Sequence, residues 1–383
     1  MKKFIVIILS IPILIYSIFF IILNKKIFKN KYIFVSYIPS FGHQCIGFYS
    51  MNYLRKSKEK VTILQIIYNR NNNQLSNFFK KIDDFILFRS NSSTLNNLLG
   101  KFIYKFLIYL CKNKNNIILN YNDLINIQKK KFLKRDDYFV KFYSYKNKKV
   151  SKDYENFYWL DLMIKQNKIK LDLYNNLFNK IKKKYKFKDK IVSIIFRDNY
   201  SNDKYDKIRS FNPLNYSLAI NWLVKNGYTV INHNKNYNKF FSKFKKTLNL
   251  SDIFFKNLDH SFLNLLLLYK SNMLISQHSG IHLFSVIFNI KTIICDAFPF
   301  CSGISNKENI ILFKNVLFKN NTLKVKNILK HEDLFYGKVG RNYKIKNNSK
   351  EQILNAVKLK KKIKIKFPKE SLISFRNNWI IEN

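Results

Sequence analysis

Cysteine is scarce in this chain: 383 residues hold four, Cys45, Cys111, Cys295 and Cys301. None forms a CxxC pair, and no histidine stands at zinc-finger spacing from any of them. That pattern argues against a disulfide framework and a structural metal, predicts free thiols, and fits a reducing, cytosol-facing compartment. Acidic residues are also few, 23 Asp and Glu against 70 Lys and Arg. No DxD pair follows a strand in the second half, so no divalent ion and no cofactor is expected there. There is no internal repeat, and neither an RNP-like motif nor a basic recognition helix is present, which removes the usual support for a nucleic-acid partner.

What the chain does have is apolar and basic. Hydrophobic residues make up 47% and aromatics 16%, enough buried surface to offset the entropy of ordering, so the chain should fold. The net charge of +47 suits a polyanion, an anionic lipid surface or an acidic substrate. However, Lys, Asn, Ile, Phe and Tyr all have codons made only of A and T, so an AT-rich coding sequence accounts for much of the excess. A nucleic-acid binder rests on the charge alone and predicts binding that weakens steeply with salt.

Residues Phe4 to Leu23 carry no charge, and 20 residues at about 1.5 Å each match a hydrocarbon core of about 30 Å. The segment reads as a transmembrane anchor, residues 1–30, with Pro12 tolerated inside it. No small-x-small cleavage site precedes Asn24, which argues against a signal peptide. Lys25, Lys26, Lys29 and Lys31 outweigh Lys2 and Lys3, so the positive-inside rule places the body in the cytoplasm, on a single-pass inner-membrane protein.

About 350 further residues exceed what one core usually serves, and two domains are expected, 31–188 and 189–383. The first opens with a buried strand over Lys31 to Ile38, a turn at Pro39 to His43, a helix-like stretch over 44–55 and a strand over Val61 to Tyr68, the spacing of a βαβ unit. A helix over Leu95 to Lys112, a short strand over 116–119 and a helical stripe from Leu171 to Tyr185 follow. In the second half, strand Lys190 to Phe196 precedes a helix from Pro213 to Asn226, with Asn212 as N-cap, Pro213 at N1 and Gly227 closing it. Strand Tyr228 to His233, a helix over 261–270, strand Asn272 to Ser276, helix Ile281 to Asn289 and strand Lys291 to Asp296 complete an alternation that predicts a doubly wound sheet. The tail carries two more helical patterns, 351–361 and 370–381.

In such a sheet ligands bind beyond the carboxyl ends of the strands, which deliver Arg197-Asp198, His233-Asn234, Gln277-His278-Ser279-Gly280 and Asp296. Ser279 and Gly280 stand at the mouth of a helix, whose free N–H groups favour a phosphate; taken alone, the pair would be an N-cap and a turn glycine. Arg197 offers a bidentate fork suited to a diphosphate, or a salt bridge to a neighbour such as Asp198. Arg209 is a second cation that could neutralise a leaving nucleoside diphosphate without metal. Across from these, Gly42-His43 follows the first strand, where His43 could act as general base on an acceptor hydroxyl or serve as a cap or core histidine; His278 and His282 share that ambiguity.

The stretches FRDNY at 196–200, IRSFNPLNY at 208–216, NGYTVI at 226–231 and LLLLYKSNMLISQHSGI at 265–281 resemble a family of bacterial glycosyltransferases that accompany surface-polysaccharide gene clusters, with a fucosyltransferase- or heptosyltransferase-like second domain. Gly42-His43 matches as well. The resemblance covers about 110 residues of the second half, with Ile195 standing where a histidine is expected and Asn-His ending the strand after Gly227 in place of Arg-x-Gly. It implies two Rossmann-like domains of the GT-B type after the anchor, a nucleotide-sugar donor held by the second domain at Arg197, Arg209, His233, Asn234, His278, Ser279 and Gly280, and a glycan or lipid-linked acceptor near Gly42 and His43. His43 and Arg197 are the expected catalytic pair. The other reading is a membrane-anchored scaffold or binding protein that keeps the fold without the chemistry.

Overall fold

A computed structural model describes residues 2–37, 60–67, 74–79, 83–89, 93–124, 171–197, 210–255, 258–277, 279–298, 310–323, 342–358 and a few short pieces between and after them. The chain divides into two compact units, residues 1–134 with 259–265, and residues 135–258 with 266–383.

The first unit is built on four parallel strands, β1 Tyr32–Ser36, β2 Val61–Ile67, β3 Asp84–Arg89 and β4 Ile117–Asn120, in the order β3-β2-β1-β4. β1 and β2 are mainly apolar because strands of a parallel sheet are covered on both faces, and Ile33, Phe34, Val35, Ile63 and Leu64 are each at most 1% exposed, with Ser36, Thr62 and Gln65 buried among them. Helices α1 Lys2–Leu23, α2 Gln74–Phe79 and α3 Ser93–Leu110 accompany the sheet. Leu99, Ile103 and Leu107 of α3 recur at four-residue spacing and lie against Ile33, Val35, Leu64 and Ile66 in one core. Gly100 is required there, since a Cβ would stand 2.2 Å from Cβ and Cγ of Tyr37. Strand β3 escapes the sequence reading because DFILFR is a short apolar run without alternation, which helix and strand share.

The expected transmembrane anchor is corrected here. Helix α1 forms over 22 residues with Pro12 inside it, yet among the described residues no helix is long and apolar enough to cross a membrane. The physical reason lies in its second half. Ser17 and Ile21 are buried, Leu14 and Phe20 pack on the α3 core, and the Phe20 ring meets Phe88 edge-on at 5.4 Å. A helix held along the protein from Leu14 onward leaves about 12 residues, about 18 Å, for lipid, short of the roughly 30 Å hydrocarbon core.

The second unit carries a seven-stranded parallel sheet, β5 Lys190–Ile195, β6 Tyr228–Asn232, β7 Thr247–Asn249, β8 Met273–Gln277, β9 Lys291–Ala297, β10 Ile310–Phe313 and β14 Trp379–Ile380. Their order is β14-β10-β9-β8-β5-β6-β7. Counted within the unit, the chain runs 3-2-1-4-5-6 and then adds an edge strand, the doubly wound Rossmann order. A small antiparallel sheet of β11 Asn315–Phe318, β12 Asn321–Thr322 and β13 Tyr343–Lys346 follows β10. Helix α4, Asn175–Lys184, precedes the sheet and ends in Lys182, Lys183 and Lys184, which complement a helix C-terminus.

The Asn212 side chain accepts the Leu214 N–H, and Pro213 opens a 3-10 turn, Pro213–Tyr216, that leads into helix α5, Ser217–Lys225. Gly227 closes it at φ +79°, a conformation that costs glycine nothing. Ala219, Ile220 and Leu223 of α5 share a core with Val192, Ile194 and Ile275 of the sheet and with Ile353, Ala356 and Val357 of α8, Lys350–Lys358. Helix α6 spans His260–Tyr269, and α7, Ile281–Ile287, packs on β9. The helix expected over 370–381 is corrected at its end, where Trp379 and Ile380 pair with Ile310 and Ile311 as a strand; residues 370–378 lie outside the described residues.

Candidate functional site

In the second unit the strand order reverses between β5 and β8, and a crevice outside the carboxyl ends of strands at such a switch point is where open α/β sheets bind ligands. The residues delivered there are Phe196 and Arg197 after β5, and Gln277, Ser279 and Gly280 from the end of β8 onward. The last ladder residue of β5 leaves two successive main-chain N–H groups beyond it, and side-chain amides from the flanking strands take both. Asn234 Oδ1 accepts the Phe196 N–H at 2.6 Å, and Gln277 Oε1 accepts the Arg197 N–H at 2.6 Å. Phe196 itself is 1% exposed and sits among Phe211, Tyr216, Tyr237 and Phe241 with ring centroids 4.7 to 5.7 Å away. The half-buried Arg197 side chain therefore starts from a backbone fixed on both sides and anchored from below.

Gln277 is itself held by a buried chain of polar groups. Its Nε2 donates to the Tyr216 hydroxyl at 2.8 Å, and that hydroxyl donates to Asp296 Oδ2 at 3.1 Å. Asp296 and Asn348 then exchange two bonds: the Asn348 N–H donates to Asp296 Oδ1 at 2.7 Å, and the Asp296 N–H donates to Asn348 Oδ1 at 2.6 Å. Asn348 Nδ2 donates to the Phe313 carbonyl at 2.7 Å, and Lys314 Nζ reaches Asn347 Oδ1 at 2.6 Å and the Ser210 carbonyl. Burial raises the Asp296 carboxyl and the Tyr216 phenol and lowers the Lys314 ammonium to about 8. Asp296 also holds φ at 51°, a left-handed conformation for which aspartate is one of the few tolerant side chains. The network ties the ends of β5, β8, β9 and β10 to the loop at Ser210 and to the turn before α8.

Two residues expected at the donor side are engaged inside the sheet. The His233 ring bonds Ser193 Oγ at 2.7 Å, and Ser193 in turn bonds Ser271 Oγ at 2.7 Å, so the imidazole turns back toward the middle of β5. Asn234 spends its carbonyl on Phe196, as described. The Ser279 N–H leans toward His282 Nδ1 at 3.4 Å, while Ser279 is half-buried and Gly280 exposed. Helix α7 is seven residues long, shorter than the sequence pattern suggests. Arg209, His278, Gly42 and His43 lie outside the described residues.

His282 is 2% exposed, and burial lowers its imidazole to about 4. The unfolded chain gains that proton near pH 6.5, so between about pH 6.5 and 4 the unfolded state binds more protons and stability falls as pH falls. The full drop amounts to about 3 kcal/mol and is flat below pH 4. Urea midpoints followed from pH 7 to 4.5 should fall less steeply in His282→Gln than in the wild type; parallel curves would remove His282 from the acid response.

The first unit has its own switch point, between β1 and β4. Asn120 at the end of β4 and Asp123 form a reciprocal cap: Asn120 Oδ1 accepts the N–H groups of Asn122 and Asp123 at 2.8 and 3.1 Å, and Asp123 Oδ2 accepts the Asn120 N–H at 2.8 Å. Tyr104 of α3 donates its hydroxyl to the same Oδ2 at 2.7 Å, and its phenol is raised, by burial first and Asp123 second. No bond of Asp123 Oδ1 is seen among the described residues. Sequence reasoning passed over Asp123, although a signal exists: residues 1–134 contain only Glu59, Asp83, Asp84 and Asp123 as acids, and the first three lie just before or at the start of β2 and β3. Asp123 alone follows a strand.

No family model matches the chain, and no curated protein matches it. Solved structures do. The glycosyl transferase family 9 protein from Veillonella parvula aligns at TM-score 0.45 and 11% identity over 85% of this chain and 96% of that one. E. coli ADP-heptose LPS heptosyltransferase II aligns at 0.39 and 9% over 74% and 90%, and E. coli heptosyltransferase WaaC with ADP at 0.40 and 7% over 73% and 92%. At this level of likeness the superpositions carry no argument about chemistry. The α/β architecture stands on the strand order described above.

Proposed function

We propose that the chain is a glycosyltransferase that moves a sugar from a nucleotide-sugar donor to a glycan or lipid-linked acceptor, working on the cytoplasmic side. The observation that carries this reading is Arg197 at the β5/β8 switch point, its main chain fixed by Asn234 and Gln277 and backed by a buried network. Such preorganisation matters most where charge develops during a reaction. In sugar transfer the bond between the anomeric carbon and the diphosphate oxygen breaks, the electron pair leaves with the diphosphate, and the acceptor oxygen bonds the carbon as its proton passes to a base. In this reading Arg197 and Arg209 balance the diphosphate without metal, with Ser279, Gly280 and His278 beside it. Asn234 holds the strand end and His233 braces the middle of β5. His43 takes the acceptor proton.

The test is a thermal-shift screen of the full chain against UDP, GDP, CDP, ADP and their sugar conjugates. One nucleotide should raise the melting temperature in a concentration-dependent way, since a ligand present at a hundred times its Kd adds about 2.7 kcal/mol. A folded sample that responds to none of them would turn the assignment toward a scaffold that keeps the fold alone.

A further inference from the structure

We propose that the outward face of α1, with the lysines that follow it, seats the first unit on the surface of a bilayer bearing anionic headgroups. This does not depend on the sugar-transfer reading. From Pro12 onward α1 has two faces. Ser17 and Ile21 are buried against the protein, whereas Ile15, Tyr16, Phe19, Ile22 and Leu23 point outward, with Tyr16 65%, Phe19 60% and Leu23 77% exposed. Their i, i+3, i+4, i+7 spacing makes one continuous stripe, and no charged residue lies between Lys3 and Lys25. Single exposed apolar residues are ordinary, but a contiguous apolar stripe marks a contact surface.

Lys25, Lys26, Lys29 and Lys31 stand exposed just past the helix, and Lys101 and Lys105 are exposed on α3, the helix on which α1 packs. Apolar and aromatic side chains rimmed by lysines are the composition of a helix that lies in the interface of an anionic membrane. A second copy of the chain is a poor occupant, because it would bring a second lysine rim and another +47 against the first. A span is equally poor, because the inner face of the same residues is already taken by the protein.

Flotation of the full chain with vesicles tests this. The protein should rise with vesicles of three parts phosphatidylcholine to one part phosphatidylglycerol, stay largely behind with phosphatidylcholine alone, and release as salt increases. Tyr16→Asp with Phe19→Asp should abolish flotation with the melting temperature unchanged, since both side chains point away from the core. Lys25→Gln, Lys26→Gln and Lys29→Gln together should weaken partitioning roughly a hundredfold. Unaltered flotation of either variant would overturn the proposal. So would wild-type protein that resists alkaline carbonate as a spanning helix does, or a lipid-free dimer that the Tyr16 and Phe19 changes dissociate.

Discussion

Asn348→Ala is expected to destabilise the second unit by about 2 to 6 kcal/mol, because it removes the two buried bonds that the Asn348 side chain makes to the Asp296 N–H and the Phe313 carbonyl, at about 1–3 kcal/mol each. Asn348 is 0% exposed and Asp296 2% exposed, so water cannot readily replace the lost amide. The carboxylate of Asp296 would keep Tyr216 and the Asn348 main chain, but the backbone that holds it at φ 51° would lose its bond. Urea unfolding monitored at Trp222, the Trp of α5, measures the loss. A change below about 1 kcal/mol would mean that the pairing adds little beyond a solvated alternative. Tyr216→Phe should cost less, since it removes a single hydroxyl from a site whose aromatic contacts with Phe196 and Phe211 remain.

Arg197→Ala should have the opposite profile, with stability nearly kept and activity lost. Its side chain is half-buried at the end of β5, and the main-chain bond to Gln277 survives the substitution. Losing a preorganised donor to developing charge costs about a hundred- to a thousandfold in turnover, and the nucleotide-dependent thermal shift should vanish with it. The unfolding free energy should stay within about 1 kcal/mol of wild type, the usual cost of a single substitution outside the core. A variant that keeps full transfer activity would remove Arg197 from the reaction; one that unfolds would recast it as a structural cation. Comparison with Asn348→Ala separates the two roles, because that variant disturbs the network while leaving the guanidinium in place.

Much of the second unit was legible in the chain. Residues 190–297 carry continuous apolar runs separated by helical patterns, and local chemistry marks the joints: Asn212-Pro213 starts a helix and Gly227 ends it. These signals are short-range, so they survive in a linear reading. The edge strands β7 and β14 and the short β10 beside β14 were not legible, because two to four residues contain too little periodicity to tell strand from coil. Asp123 was overlooked for a different reason. Its position matters only once β4 is known to lie beside β1, and that adjacency joins residues about 85 apart.

The amino-acid sequence by itself determined the alternation of strands and helices, the helix at the N-terminus, the excess of lysine, and Arg197 at the end of a buried strand. Periodicity, capping residues and charge act between near neighbours, so they are written in order along the chain. Only the tertiary structure decided the strand order that creates a switch point between β5 and β8, and the network from Gln277 to Asn348 that fixes Arg197. It also turned the apolar helix from an expected span into one half-embedded in the protein. Those features arise from contacts between residues tens of positions apart, where side-chain shape and hydrogen-bond demand, and not local pattern, select the partner.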